Sequence, residues 1–235
     1  MVDSKVFAQS IINQVHAKWL SLKQFEHAEE LKYCWRNGFA VFYSPVTVEP
    51  DLMILGFNPG GGPDDFNEAE ACELPIEHDY LKRNYVLAKR MREELFVGNQ
   101  SLLRESVKAN LIPFRTSNKS EWYRIQKRLR AELEEFSRGV CREVVKTIKP
   151  RMILLEGVQT FDLFCRWFAE DIVPLQSPFG HQVVRGRRIY CDAKMRYGPK
   201  VVGVVHLSGA RPRPGAQDIE YIQDRLQREM GLPIK

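Results

Sequence analysis

Hydrophobic positions along the chain alternate between helical spacing and short continuous runs. From about residue 4 to 31, apolar residues such as Ile11, Val15 and Trp19 recur at helical spacing and predict an amphipathic opening helix. The segment GFAVFYSPV, residues 38–46, is rich in β-branched and aromatic residues, which is typical of a strand.

Later apolar runs predict further strands, each ending in polar residues. These runs are LMILGF (52–57), SVKANLIPF (106–114), PRMILLEG (150–157) and KVVGVVHLSG (200–209), and helical patterns cover residues 80–96, 121–149, 158–169 and 216–230. Alternating strands and helices predict an α/β fold, a three-layer α/β/α sandwich with a central, mostly parallel sheet. Because no linker or repeat interrupts the pattern, we expect one domain over residues 1–235, with the helix at about 4–31 as an extra N-terminal element.

Composition limits the class of protein. Thirty-five basic residues against thirty acidic ones give a net charge of +5, a mild preference for an anionic partner. The five cysteines form no CxxC pair and have no histidine at zinc spacing, so we expect neither a metal nor a cofactor, and reduced thiols. No apolar run approaches the roughly 20 residues of a membrane helix. These features predict a soluble, cytoplasmic protein.

Polar residues after the buried runs are the first candidates for chemistry. Asn58, Asn110, Glu156 and His206 each stand at or just after the end of a predicted strand, where open α/β sheets bind ligands. The turn NPGGGPDD after the first of these strands permits close approach of another molecule to its backbone. It lacks the Gly-Lys-Ser/Thr of a phosphate loop and the GxGxxG of a dinucleotide site, which disfavours a nucleotide cofactor.

Three of these strand ends together resemble the uracil-DNA glycosylase superfamily. GFNPG, residues 56–60, is similar to the G-x-N-P-G motif of its mismatch-specific and single-strand-selective branches. HLSGARP, residues 206–212, is similar to the family's late histidine loop, with Leu207 where proline is usual. Asn110 resembles the asparagine that reads the base. The resemblance spans roughly residues 51–214.

The resemblance implies a monofunctional DNA glycosylase of base-excision repair, which hydrolyses the N-glycosidic bond of uracil or a related damaged base in single- or double-stranded DNA. Asn58 would orient the attacking water, and His206 would stabilise the charge that develops on the leaving base. Asn110 would read the flipped base with its planar amide. Because an asparagine is not a strong base, we expect slow chemistry.

The resemblance also implies contacts to the base and to the DNA. The base would stack on one of three aromatic rings, Phe57, Phe66 or Tyr80. Arg211 would enter the space that the flipped base leaves, and further DNA contacts would come from Gly60, Gly61, Ser208 and Arg213. Basic candidates for phosphate neutralisation are Arg115, Lys119, Arg185, Arg187 and Arg188.

Other interpretations remain open at this point. One is a catalytically silent nucleic-acid-binding protein on the same fold, and another is an α/β enzyme that acts on free nucleosides or nucleotides. Asn58 could simply belong to a turn, and Asn110 could end its strand by bonding to nearby backbone. The tryptophans Trp122 and Trp167, with Phe168, lie at helical spacing and are expected in the core. The oligomeric state stays open.

Overall fold

The computed structural model describes residues 3–23, 36–173, 181–184, 187–209 and 213–231. The chain divides into two compact units, each assembled from three segments. Unit 1 comprises residues 1–48, 56–76 and 109–148, and unit 2 comprises residues 49–55, 77–108 and 149–235.

The described strands form one seven-stranded sheet. The strands are β1 (Leu52–Gly56), β2 (Val107–Asn110), β3 (Met152–Glu156), β4 (Ile172–Val173), β5 (His181–Val184), β6 (Arg187–Met195) and β7 (Lys200–Val204). Their order is β2-β1-β3-β7-β6-β4, and β5 also pairs with β6. The pairs β1–β3 and β3–β7 are parallel, whereas β6 runs antiparallel to β7, β4 and β5. The carboxyl ends of β1, β3 and β7 therefore lie at one edge of the sheet.

The described α-helices are α1 (Ser4–Lys23), α2 (Glu68–Ala71), α3 (Asp79–Lys82), α4 (Val86–Arg90), α5 (Gln100–Glu105), α6 (Lys119–Arg124), α7 (Lys127–Ile148), α8 (Val158–Trp167) and α9 (Ala216–Met230). A π-helical segment, Met91–Leu95, continues α4, and Pro63–Asp65 forms a 3-10 turn. The predicted helix at residues 216–230 agrees with α9, which ends at Gly231 in the left-handed conformation that favours glycine.

Both faces of the sheet are covered within unit 2. Alternate residues of the central strands, such as Leu154 and Val202, pack with Ile222 of α9 and Met91 of the π-helical segment in one buried cluster. On the opposite face Phe161 of α8 packs directly on β7. All residues of β1 and β3 are buried, as expected for strands with helices on both sides. The predicted α/β class with a mostly parallel central sheet in a three-layer sandwich is thus confirmed.

Unit 1 is held by an aromatic cluster that joins its first two segments. Trp19 of α1, Phe39 and Phe66 lie with ring centroids 5.3 to 5.8 Å apart. The imidazole of His16 stacks on this cluster and its Nε2 lies 2.8 Å from the Glu68 carboxylate. The opening helix is described as far as Lys23, and the predicted extension to residue 31 lies outside the described residues.

Several predicted elements differ in the structure. GFAVFYSPV forms isolated bridges, Phe39 to Phe114 and Phe42 to Ala109, and the prediction of a strand there was wrong. The predicted helix over residues 80–96 is divided, because Arg83 after α3 adopts an extended backbone. The predicted helix over residues 121–149 is also divided, because Ile125 between α6 and α7 leaves the helical conformation. Strands β4, β5 and β6 and helices α2 and α5 were not predicted. The core assignment of Trp122, Trp167 and Phe168 is confirmed, since each is buried.

No helix in the described ranges combines the length and the apolar character that spanning a bilayer requires.

Gly203 is the position where α8 comes closest to the sheet, and it yields a test of the fold. A Cβ at Gly203 would lie 2.5 Å from the Cβ of Phe161, so a valine there must displace the helix. We expect Gly203→Val to lower the free energy of unfolding by about 1–3 kcal/mol in urea denaturation. The matched control is Gly139→Ala in α7, where nothing lies within 4 Å of an added Cβ. That change should raise stability by about 0.5–1 kcal/mol, and equal effects of the two changes would contradict this packing.

Candidate active site

The residues predicted for the site are divided between the two units. Unit 1 contains Phe57, Asn58, Gly60, Gly61, Phe66 and Asn110; unit 2 contains Tyr80, His206, Ser208 and Arg213. Arg211 lies outside the described residues. The two candidate asparagines thus share one unit, and the candidate histidine belongs to the other.

The side-chain amide of Asn58 is fixed by hydrogen bonds to the segment after β2. Its Nδ2 donates to Thr116 Oγ1 at 2.7 Å and to the carbonyl oxygen of Phe114 at 3.4 Å. Thr116 in turn donates to the carbonyl oxygen of Asn118 at 2.9 Å, so its hydroxyl accepts from Asn58. Because the amide nitrogen is engaged on both sides, Oδ1 is the remaining acceptor of Asn58. Such an oriented acceptor suits the binding of a water molecule.

The glycine-rich turn after Asn58 is shaped by Arg115. Gly61 has a φ of +104°, and a Cβ there would lie 2.1 Å from Nη2 of Arg115. Arg115 also donates from Nη1 to the carbonyl oxygen of Asp65, and the Asp65 carboxylate accepts from the Gly62 amide. The missing side chain at Gly61 thus accommodates this guanidinium. Gly60 is different, because it is exposed and nothing lies within 4 Å of an added Cβ.

Asn110 lies at the end of β2, beside the turn that carries Asn58. Leu111 donates its amide to the carbonyl oxygen of Gly56 at 2.9 Å, and Ile112 donates to that of Phe57 at 3.0 Å. These bonds place the end of β2 alongside the end of β1. Asn110 is half-buried, and its side chain makes no hydrogen bond to another described residue. Its side-chain amide therefore does not end the strand by bonding to nearby backbone. Its role as the reader of the base stays a prediction.

The three aromatic candidates for stacking have different environments. Phe66 is part of the aromatic cluster of unit 1, where its ring occupies the space above Gly38. Tyr80 is only 1% exposed, and its hydroxyl donates to Glu156. Tyr80 is thus enclosed by its neighbours, whereas Phe66 is half-buried, and the predicted stacking role of both rings stays a prediction. Phe57 is half-buried and packs against the Tyr123 ring at 6.2 Å.

His206 follows β7 in unit 2, and its ring orientation is set by the loop after it. Nδ1 accepts the amide hydrogen of Gly209 at 2.9 Å, with Ser208 Oγ at 3.4 Å. In the neutral ring the proton is therefore on Nε2, which makes Nε2 the donor. A Cβ at Gly209 would lie 3.0 Å from Nδ1, so the absence of a side chain there permits this contact. Ser208 is one of the predicted DNA contacts, whereas no pattern in the sequence indicated a role for Gly209.

Leu207 and Arg90 anchor the loop that carries His206. The Leu207 side chain is buried in the unit 2 core, which gives a packing reason for a leucine at this position. Arg90 donates from Nη1 to the Leu207 carbonyl oxygen at 2.6 Å and from Nη2 to that of Pro214 at 2.9 Å. Its Nε donates to Glu94 at 2.8 Å. The Arg90 guanidinium thus connects both ends of the loop. No pattern in the sequence indicated this role of Arg90.

A buried polar network adjoins the end of β3. Both oxygens of Glu156 are occupied, since Oε1 accepts from Tyr80 and Oε2 accepts from Lys108 Nζ at 2.9 Å. Glu156 and Lys108 are each 4% exposed. Burial and the Glu156 carboxylate raise the pKa of Tyr80 well above its ordinary value, so the hydroxyl stays protonated and donates.

His78 belongs to the same buried region. Its Nδ1 accepts the amide hydrogen of Tyr80 at 3.2 Å, which places the proton on Nε2, 3.1 Å from Ser106 Oγ. Ser106 donates its own hydrogen to the Leu103 carbonyl oxygen, so it accepts from His78. Burial, with the nearby Lys108 ammonium, lowers the pKa of His78 to about 4. His78 is therefore neutral at pH 7.

The basic candidates for phosphate contact are partly committed to other groups. Arg188 forms two hydrogen bonds with the Asp162 carboxylate, at 3.0 and 2.6 Å, and this pairing raises the pKa of its guanidinium. Arg115 is held by the glycine-rich turn. Arg213 is exposed, whereas Arg185 and the side chain of Arg187 lie outside the described residues.

No known protein-family model matches the chain, and no curated protein matches it either. Among the described residues, no group of three or more histidine, cysteine, aspartate or glutamate side chains could hold a metal ion.

The lowered pKa of His78 predicts a pH dependence of stability. The unfolded chain has the ordinary histidine pKa of 6.5, so it binds this proton more readily than the folded chain. The contribution of neutral His78 is complete above about pH 6.5 and is lost as the pH falls toward 4. We expect up to about 3 kcal/mol of stability to be lost over this window, measured by urea denaturation at several pH values.

The control for this pH dependence is His78→Asn, whose side-chain oxygen can still accept the Tyr80 amide hydrogen but does not titrate. The stability difference between wild type and variant should shrink as the pH falls. A constant difference from pH 7 to pH 4 would contradict the neutral, buried state of His78.

The two carbonyl contacts of Arg90 predict that it orders the His206 loop. In Arg90→Gln we expect the Gly209 amide to exchange its hydrogen at least about tenfold faster, because the charged donor to both loop ends is removed. Hydrogen exchange followed by mass spectrometry measures this. The control is Arg92→Gln in the same helical segment, since Arg92 donates to the carbonyl oxygens of Tyr80 and Arg83 instead. Equal exchange in both variants would exclude the anchoring role.

Proposed function

We propose that this protein is a monofunctional DNA glycosylase of the uracil-DNA glycosylase superfamily, acting on uracil or a related damaged base. The observation that carries the proposal is the fixed polarity of two side chains that follow parallel strands. Asn58, after β1, has its amide nitrogen engaged and its oxygen left as an acceptor. His206, after β7, has its proton on Nε2, where it is a hydrogen-bond donor.

These two polarities fit the two charges that hydrolysis of an N-glycosidic bond produces. Water forms a bond to C1′ of the deoxyribose while the bond from C1′ to the base nitrogen breaks, and the electron pair leaves with the base. The Asn58 oxygen would accept a hydrogen bond from the attacking water and orient it. The Nε2–H of His206 would donate to the base carbonyl oxygen on which the negative charge collects.

The proposed reaction uses no strong base and no strong acid in the protein. The water's proton passes to solvent after attack, and the departing base takes up a proton from solvent. Neutral groups stabilise charge less than ionised ones, so the rate should be low and should depend on how well the base is positioned. Asn110, at the end of β2 beside the Asn58 turn, is the proposed reader of the base edge.

The direct test is incubation with end-labelled oligonucleotides, followed by alkaline cleavage of abasic sites. Substrates contain uracil, hypoxanthine or xanthine, in single and double strands, and free deoxyuridine tests the nucleoside alternative. We expect slow strand cleavage at a uracil or a related base, unaffected by a metal chelator. His206→Ala and Asn58→Ala should each lower the single-turnover rate by at least about tenfold.

The matched control is Tyr197→Ala, since Tyr197 is 95% exposed in the turn before β7, whereas His206 follows the other end of that strand. It should retain the full rate. Absence of abasic product from every oligonucleotide at high protein concentration would refute the proposal. Release of base from free deoxyuridine alone would instead favour the nucleoside-acting enzyme.

A further inference from the structure

Unit 1 has a region where two aromatic rings and two cations lie together, next to exposed basic residues at the α6–α7 junction. We name it the aromatic–basic surface. Its residues are Phe57, Lys119, Tyr123, Arg124, Lys127, Arg128 and Arg130.

Two aromatic rings form the centre of this surface. The Phe57 and Tyr123 centroids are 6.2 Å apart, with their planes inclined by 35°. Lys119 Nζ lies 4.4 Å from the centroid of Phe57 and 5.8 Å from that of Tyr123. The guanidinium carbon of Arg130 lies 5.3 Å from the Tyr123 centroid. A pair of cations thus accompanies a pair of rings.

The local fold turns Tyr123 outward. Its neighbour Trp122 is completely buried and donates its indole hydrogen to Glu134, which fixes the inner face of α6. Tyr123 is consequently 49% exposed. Helix α6 is short because Ile125 leaves the helical conformation, and α7 begins two residues later.

The charge of this region is strongly positive. Arg124, Lys127 and Arg128 are exposed, and Glu121 is the sole acidic residue between positions 119 and 130. The Glu121 carboxylate already accepts hydrogen bonds from the Ser117 amide and the Asn118 side chain. Glu134, 3.7 Å from Arg130, is a further acid that pairs with the surface. The unbalanced charge therefore favours a polyanion.

We propose that the aromatic–basic surface binds a single-stranded nucleic acid, with bases stacked on Tyr123 and Phe57 and phosphates near the exposed Arg124 and Lys127. Aromatic rings flanked by cations bind single strands in this way, because every base has a face that can stack. In a duplex the base faces are already stacked on each other, so an exposed ring has little to bind. A single strand is thus the preferred ligand.

The surface begins at Phe57, the residue before Asn58. A strand held on it would run toward the turn that we propose to position the attacking water. Binding itself does not require base release, so this inference can be tested independently of the glycosylase proposal.

The test is fluorescence anisotropy with end-labelled oligonucleotides that contain no damaged base. Single-stranded DNA and RNA of one sequence and the corresponding DNA duplex are titrated at several salt concentrations. Tyr123→Ala should weaken single-strand binding by about tenfold or more, whereas Tyr123→Phe, which keeps the ring, should stay within about twofold of wild type. Tyr197→Ala, an exposed tyrosine of unit 2, is the matched control and should bind as wild type.

Charge is tested separately with Arg124→Gln/Lys127→Gln. This variant should reduce the slope of log Kd against log salt by about 0.7 for each phosphate that the surface no longer neutralises. The control is Lys146→Gln, an exposed lysine near the far end of α7, which should leave the slope unchanged.

Two results would overturn the proposal: unchanged affinity in Tyr123→Ala, or duplex binding as tight as single-strand binding. Binding without base release refutes the glycosylase proposal alone. Base release with unchanged binding in Tyr123→Ala refutes the aromatic–basic surface alone.

Discussion

The buried carboxylate of Glu156 is the constraint on which much of unit 2 depends. A carboxylate without water is costly unless both oxygens have partners, and here Tyr80 and Lys108 supply them. Those partners come from α3 and β2, so both elements must be correctly placed before the end of β3 can be buried.

The residue after Glu156, Gly157, has a φ of +107° and donates its amide hydrogen to the carbonyl oxygen of Val204 at the end of β7. A Cβ at Gly157 would lie 3.6 Å from His206 Cβ, so this turn also sets the space beside the candidate donor.

The parts of the fold that the sequence predicted are those whose patterns come from burial alone. Strands β1, β3 and β7 are continuous apolar runs, which is what a strand covered on both faces requires. Strand β6 was not predicted, because charged residues interrupt its apolar pattern. Oppositely charged residues on helices distant in sequence pair with these charges. Arg188 pairs with Asp162 of α8, and Asp192 lies 3.8 Å from Arg225 of α9. The opposite error occurred at GFAVFYSPV, which has the composition of a strand but forms only isolated β-bridges among the described residues. Composition indicates the tendency to pair, and tertiary context decides the outcome.

For the candidate site, the sequence could name side chains but not the direction of their hydrogen bonds. The acceptor role of Asn58 depends on Thr116, and the donor role of His206 depends on the Gly209 amide.

The glycines of the NPGGGP turn also depend on a contact that the sequence does not show. The sequence predicted that they permit approach by a ligand. At Gly61 the structure supplies an internal reason, the guanidinium of Arg115, and leaves Gly60 as the open position. Most of these contacts join positions distant along the chain, which periodicity and composition do not encode.

The neutral character of the proposed catalytic groups has a consequence for how a glycosylase that uses them would reach a useful rate. With an amide to orient water and a neutral imidazole to stabilise the leaving base, little of the barrier can be lowered by proton transfer in the protein. The remaining source is binding energy from parts of the substrate that do not react, which holds the base and the sugar in place. The aromatic–basic surface, which begins one residue before Asn58, is well suited to supply that energy from the strand. In such an enzyme, loss of the Tyr123 ring would reduce kcat as well as affinity, because strand binding and positioning of the base would be one interaction.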